Sequence, residues 1–245
     1  MNSLIILAAE CVDGSSAVLE GQRACYAFET HGIRAGQRIT VGVLNGLRGE
    51  AEVASASPSR VELSLFLSDP PLSVRPIDLI VGVSRPQTIK KVVQVGVMLG
   101  VRSVHFVRSE RGDKSYLQST ALSPESLQEE SLKALEQIWD TRMPDIIVHR
   151  SFQYFCKNVL PALEGDGAPL KVVAHPNGEG LRRARGESFS QHAIVAVGPE
   201  RGWSDVEVQL LKERGFRVTG LGSRVLRVEV ALTFLLGQLD LLLAS

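Results

Sequence analysis

From residue 77 onward the chain alternates short apolar runs with longer stretches of helical period, and few folds accommodate that alternation. IDLIVGV (77–83), SVHFV (103–107), DIIVH (145–149), LKVVAH (170–175), AIVAVG (193–198) and FRVTGLG (216–222) are rich in β-branched residues and predict strands. Between them lie predicted helices. PQTIKKVVQVGVMLG (86–100) opens on proline and closes on Gly100, and SPESLQEESLKALEQIWD (123–140) starts at the cap Ser123. SFQYFCKNVLPALE (151–164), SDVEVQLLKERG (204–215) and the apolar VEVALTFLLGQLDLLLAS complete the set. Strands that return after helices predict a parallel α/β sheet covered on both faces.

The first 70 residues have a different period. QRITVGVL (37–44), GEAEVAS (49–55) and RVELSLF (60–66) partly alternate and predict short strands. NGLRG (45–49) joins two of them as a hairpin turn, with Asn45 and Gly46 able to take positive φ. MNSLIILAAECVDG predicts a first strand, and RACYAFETHG (23–32) a short helix ending at Gly32. Together they predict a small barrel. SDPPLSVRPID (68–78), with three prolines, predicts the linker, so the expected domains are 1–70 and 77–245.

A length of 245 residues suits one large and one small domain. The first apolar run is too short for a signal peptide or a membrane span, and no other run is long and charge-free enough for a span. Cys11, Cys25 and Cys156 are far apart, so neither metal-type CxxC spacing nor a disulfide framework is expected. A cytoplasmic protein without metal or membrane is the expectation. Lys and Arg balance Asp and Glu at 27 each, but unevenly along the chain. Acidic side chains lead by three over 1–74, and basic ones by five over 75–115. The second excess is either a phosphate-holding field or a solvated helix face with loop charges.

Two apolar runs stop in glycine-containing loops, IVAVGPERG (194–202) and LGSRVLRVEV (221–230). The first is followed by Ser204 and Glu207 at capping-box spacing, so its glycines line the carboxyl end of a buried strand, where α/β proteins bind ligands. The plain alternative is a tight strand–helix turn. GLGSRV (220–225) comes near a dinucleotide fingerprint, but Val225 stands at the third small position and no later strand can supply the acidic partner. A GxxxxGK[ST] loop is absent.

GPERGWS together with LGSRVLRVEVA resembles the RsmE family, the 16S rRNA uridine-N3 methyltransferases of the SPOUT superfamily. LGVRSVHFVRSER (99–111), ALEQIWDTRMPDI (134–146) and the segment from Arg23 to Gln37 resemble that family's upstream motifs. The resemblance implies a small N-terminal PUA-like β-barrel that binds RNA and a C-terminal trefoil-knotted parallel α/β domain. It implies that S-adenosyl-L-methionine (SAM) lies between the two loops. Val197, Gly198, Pro199, Glu200 and Gly202 would form one lip, and Leu221, Gly222, Val225, Leu226 and Arg227 the other. The slot would be completed at a homodimer interface, for which the apolar C-terminal helix is suited.

In that chemistry Glu229 would receive the uracil N3 proton, and Arg227 or Arg224 would hold the developing anion or a phosphate. Glu229 as a helix-end charge, Arg224 as a brace and His175 as a hydrogen-bonded loop residue are the plain alternatives. Arg85, Lys90, Lys91, Arg108, Arg111, Lys114 and Arg224 are the expected contacts to 16S rRNA in the small subunit, helped by Arg182, Arg183 and Arg185. The chain departs from the family where Val228 and Val230 replace two threonines, and at Arg201, Asp140, Met98 and Tyr26. An RNA-binding assembly protein with a vestigial SAM slot, or a related enzyme with another RNA target, are the competing readings.

Overall fold

Six strands, all parallel, form the larger sheet in the order β12-β10-β11-β7-β8-β9. In a computed structural model that describes residues 3–165, 167–181 and 191–243, they are β7 (Arg75–Gly82), β8 (Val101–Val107), β9 (Asp145–His149), β10 (Leu170–Gly180), β11 (Ala193–Val197) and β12 (Arg217–Gly220). They belong to one of two compact units, Val74–Glu130 with Pro144–Ser245. The other unit is Met1–Ser73 with Ser131–Met143.

The helices of the larger unit are α2 (Pro86–Met98), the start of α3 (Pro124–Ile138), α6 (Asp205–Glu213) and α7 (Val228–Leu243). The stretch predicted as one helix over 151–164 is broken into α4 (Phe152–Tyr154), a π-helical turn Phe155–Val159 and α5 (Leu160–Glu164). Pro161 lacks the amide that would continue a regular α-helical ladder there. β11 is buried at every residue, as a central parallel strand requires. One core on this sheet joins Ile80, Val107, Phe155, Ile194, Trp203 and Leu211.

The chain order along the sheet reverses direction at β7. β8 and β9 extend one side, and β11, β10 and β12 the other. Crevices at such reversal points open at the carboxyl ends of the strands. β10 runs to Gly180, five residues past the predicted end, and pairs β12 again after a register shift between Ala174 and Glu179.

The smaller unit holds a curled six-stranded sheet in the order β1-β4-β5-β6-β3-β2. These are β1 (Leu4–Ile6), β2 (Cys11–Asp13), β3 (Ser16–Glu20), β4 (Arg38–Val43), β5 (Arg48–Ala56) and β6 (Arg60–Asp69), with α1 (Gly21–Glu29) after β3. β2 and β3 were not expected from the sequence. Alternate residues of β5 and β6 point inward, where Leu4, Val41, Ala51, Val53, Val61 and Leu63 share a core. The hairpin turn after β4 has Asn45 at φ 58°, as expected, whereas Gly46 is not among the positive-φ residues. No helix among the described residues is long and apolar enough to cross a membrane.

Candidate functional site

The loops after β7, β11 and β12, together with the middle of β10, enclose a cleft of about 820 Å³. All ten residues expected to hold a cofactor line it: Val197, Gly198, Pro199, Glu200 and Gly202 from the first loop, and Leu221, Gly222, Val225, Leu226 and Arg227 from the second. Glu229 and His175 line it as well.

The first loop is a tight turn. The Gly202 amide donates to the Pro199 carbonyl at 2.7 Å. A Cβ on Gly198 would lie 2.7 Å from the Trp203 amide nitrogen, so only glycine allows the turn to close. Gly202 sits at φ 70°, and a Cβ there would meet nothing within 4 Å. The turn ends in the expected capping box. Ser204 Oγ accepts from the Glu207 amide at 3.2 Å, and Glu207 Oε2 from the Ser204 amide at 2.8 Å. The other Glu207 oxygen accepts from the Glu110 amide at 2.8 Å.

Glu200 reaches away from its own loop. One carboxylate oxygen accepts from the Arg85 amide at 3.1 Å and from the Thr88 hydroxyl at 2.9 Å. Both donors belong to the amino end of α2, where negative charge is favoured. Glu229, in the first turn of α7, accepts from Lys91 Nζ at 3.1 Å. Burial alone would raise its carboxyl pKa. The helix-start amide, the Lys91 ammonium and the nearby Arg227 outweigh burial and hold it below the usual carboxylate range. Arg227 is exposed, and its side chain forms no hydrogen bond or ion pair with other described residues.

The basic residues divide. Arg85, Lys91, Arg111 and Arg224 line the cleft, whereas Lys90, Arg108 and Lys114 do not. Lys90 pairs at 2.9 Å with the buried Glu130, and Arg111 at 3.5 Å with the exposed Asp205. Arg75 pairs with Asp240, and Arg102 with the buried Asp78. Glu130, Glu229, Asp205 and Asp240, all outside 75–115, therefore answer much of the local excess. Arg182, Arg183 and Arg185 lie outside the described residues.

Two features of the cleft had no sequence signal. Thr88 lines it from α2, and Trp203 backs the first loop from the core beside Phe152, ring centroids 5.3 Å apart. Trp203 is fully buried, and its Nε1 has no partner among the described residues. An open backbone turn and flanking cations form a fit for a nucleoside-sized ligand with a polar edge. No group of three or more His, Cys, Asp or Glu among the described residues could hold a metal ion.

A sequence model of the RNA methyltransferase domain matches residues 70–240. Ribosomal RNA small subunit methyltransferase E of Treponema pallidum (strain Nichols) is 29% identical over 238 residues, covering 94% of this chain and 87% of that relative. A crystal structure of ribosomal RNA small subunit methyltransferase E from Neisseria gonorrhoeae, bound to S-adenosyl methionine, is similar with a TM-score of 0.79. It has 22% identity and covers 99% of this chain and 98% of that one. A structure from Legionella pneumophila in complex with the cofactor SAM has a TM-score of 0.81 at 20% identity, covering 99% and 98%. At these identities the two structures speak for the fold.

Proposed function

The chain belongs to the RNA methyltransferase domain family, and from that premise we propose that it methylates N3 of a uridine in 16S rRNA of the small ribosomal subunit, with SAM as methyl donor. The observation that carries this reading is the meeting of the two glycine loops in one cleft: every residue of 197–202 and of 221–227 lines it.

When bound, SAM supplies a methyl group from its sulfonium; the bond to N3 forms as the carbon–sulfur bond breaks and leaves its electrons on sulfur. The residues of the chain do the rest. The turn at 199–202 offers bare backbone to the adenosine. Arg227 faces the cleft and balances the negative charge that uracil acquires when N3 loses its proton. Glu229, ionised at neutral pH, accepts a hydrogen bond from N3–H and hands the proton on to water, being too weak a base to keep it. Positioning in line then supplies most of the acceleration.

The same reading extends to the rest of the molecule. The curled sheet acts as a PUA-like RNA-binding unit, and the larger unit takes the trefoil-knotted form that the family resemblance implies. Arg85, Arg108, Lys114 and Arg224 are the cations left to meet phosphate, since Lys90 and Lys91 hold carboxylates. A homodimer in the cytoplasm is the working form, supported by Val230 and Phe234, which are about half exposed on α7. Calorimetric titration with SAM tests the slot: one site per chain is expected, and no heat at millimolar SAM would overturn the reading.

A further inference from the structure

Two ties leave the same face of α2 and reach the two sides of the cleft. Thr88 and Lys91 are three residues apart, so they are neighbours on the helix surface. Thr88 binds Glu200 in the first loop at 2.9 Å. Lys91 binds Glu229, two residues beyond the end of the second loop, at 3.1 Å. The opposite face of α2 is fixed in the core by Ile89, Val92, Val93 and Val97, all fully buried.

The second loop needs such a tie. Ser223, Arg224 and Arg227 form no side-chain hydrogen bond or ion pair with other described residues, and Val225 is 90% exposed. Its start is held by β12, and its end by the first turn of α7, which Lys91 grips through Glu229. The first loop is likewise anchored from outside. α2 has no acidic residue in its own first turn, so the Glu200 carboxylate answers the positive end of that helix.

We propose that α2 is a strut that sets the width of the cofactor slot, with Thr88 and Lys91 as positioning residues and Lys91 reserved for Glu229 rather than for RNA. The inference rests on the reading of the cleft as a SAM slot. The strut holds both lips at the separation that binding needs before RNA arrives.

The test uses the full-length protein without RNA. Lys91→Met keeps the aliphatic stem and removes the charge; Lys91→Arg restores it. Lys91→Met should weaken SAM binding about fivefold by calorimetry and speed amide hydrogen exchange across 221–228, with Lys91→Arg recovering most of both. Glu229→Gln should weaken SAM binding similarly, and the double variant should be no worse than either single one. Thr88→Val should speed exchange across 198–203 instead. The salt slope of RNA binding should be unchanged by Lys91→Met. Unchanged SAM affinity and exchange in Lys91→Met would overturn the strut, as would a salt slope lowered by about one, the mark of a lost phosphate contact. If the unaltered protein binds no SAM, the slot reading fails, and the exchange arm still decides whether the ties hold the loops.

Discussion

Gly202 is the residue of the proposed slot at which one substitution tests the first loop most directly. Its φ of 70° suits glycine, whereas its missing Cβ would point into open space. Strain, rather than a clash with the protein, is therefore the cost of Gly202→Val, about 1–2 kcal/mol. A branched side chain would also occupy space at the ligand's edge. SAM affinity should fall at least about tenfold by calorimetry, while thermal unfolding shifts little; normal SAM binding would remove the first loop from the slot. Glu229→Gln separates binding from turnover. The carboxylate takes the Lys91 bond and is the proposed acceptor at N3–H, so kcat on small subunits should fall by about a hundredfold or more, far beyond the loss in SAM affinity. A fall in affinity alone would leave Glu229 a helix-end charge.

β7, β8 and β9 share a largely buried polar chain that leaves no local mark in the sequence. Ser103 Oγ donates to Asp78 at 2.6 Å, so its oxygen accepts from His105 Nε2 at 2.9 Å. His105 Nδ1 must then accept from His149 Nε2, also at 2.9 Å. Burial first, then His149 and Arg102, push His105 down to about 4 from 6.5, against the pull of Asp78. Burial lowers His149 too. Between about 6.5 and about 4 the unfolded chain thus holds more protons than the folded one, and acid destabilises the fold. Up to about 3 kcal/mol should be lost across that window, by denaturant unfolding at stepped pH, and His105→Asn should flatten the dependence. A flat profile in the unaltered protein would show that His105 titrates normally.

The same elements show what was legible. Ser204 and Glu207 announced their helix because capping is local, and β11 announced itself because every residue is apolar. The far half of β10 did not, because Pro176, Asn177 and Gly178 read as turn residues and become strand only through pairing with β12. The site divides likewise. Its two glycine loops stand out along the chain, but Lys91 and Glu229 are 138 residues apart, and nothing in their neighbourhoods marks them as partners.

For the whole molecule, the chain's neutrality matters less than where its charges and apolar groups end up. α7 buries Leu232, Leu235, Leu236 and Leu239, and leaves Val230, Phe234 and Leu241 at 46%, 48% and 79% exposure. A second copy is the proposed cover for that surface. Light scattering should give the dimer mass at micromolar concentration, and Phe234→Glu should give monomers that remain folded; a monomeric mass for the unaltered protein would contradict the dimer. Methyl transfer to a uridine N3 in small-subunit RNA has a more direct test. Small subunits from cells lacking this protein are incubated with it and methyl-labelled SAM, and the RNA is digested to nucleosides for mass spectrometry. Labelled N3-methyluridine in 16S rRNA is the expected result. Bound SAM with no label in the RNA, or label in a different nucleoside, would contradict it.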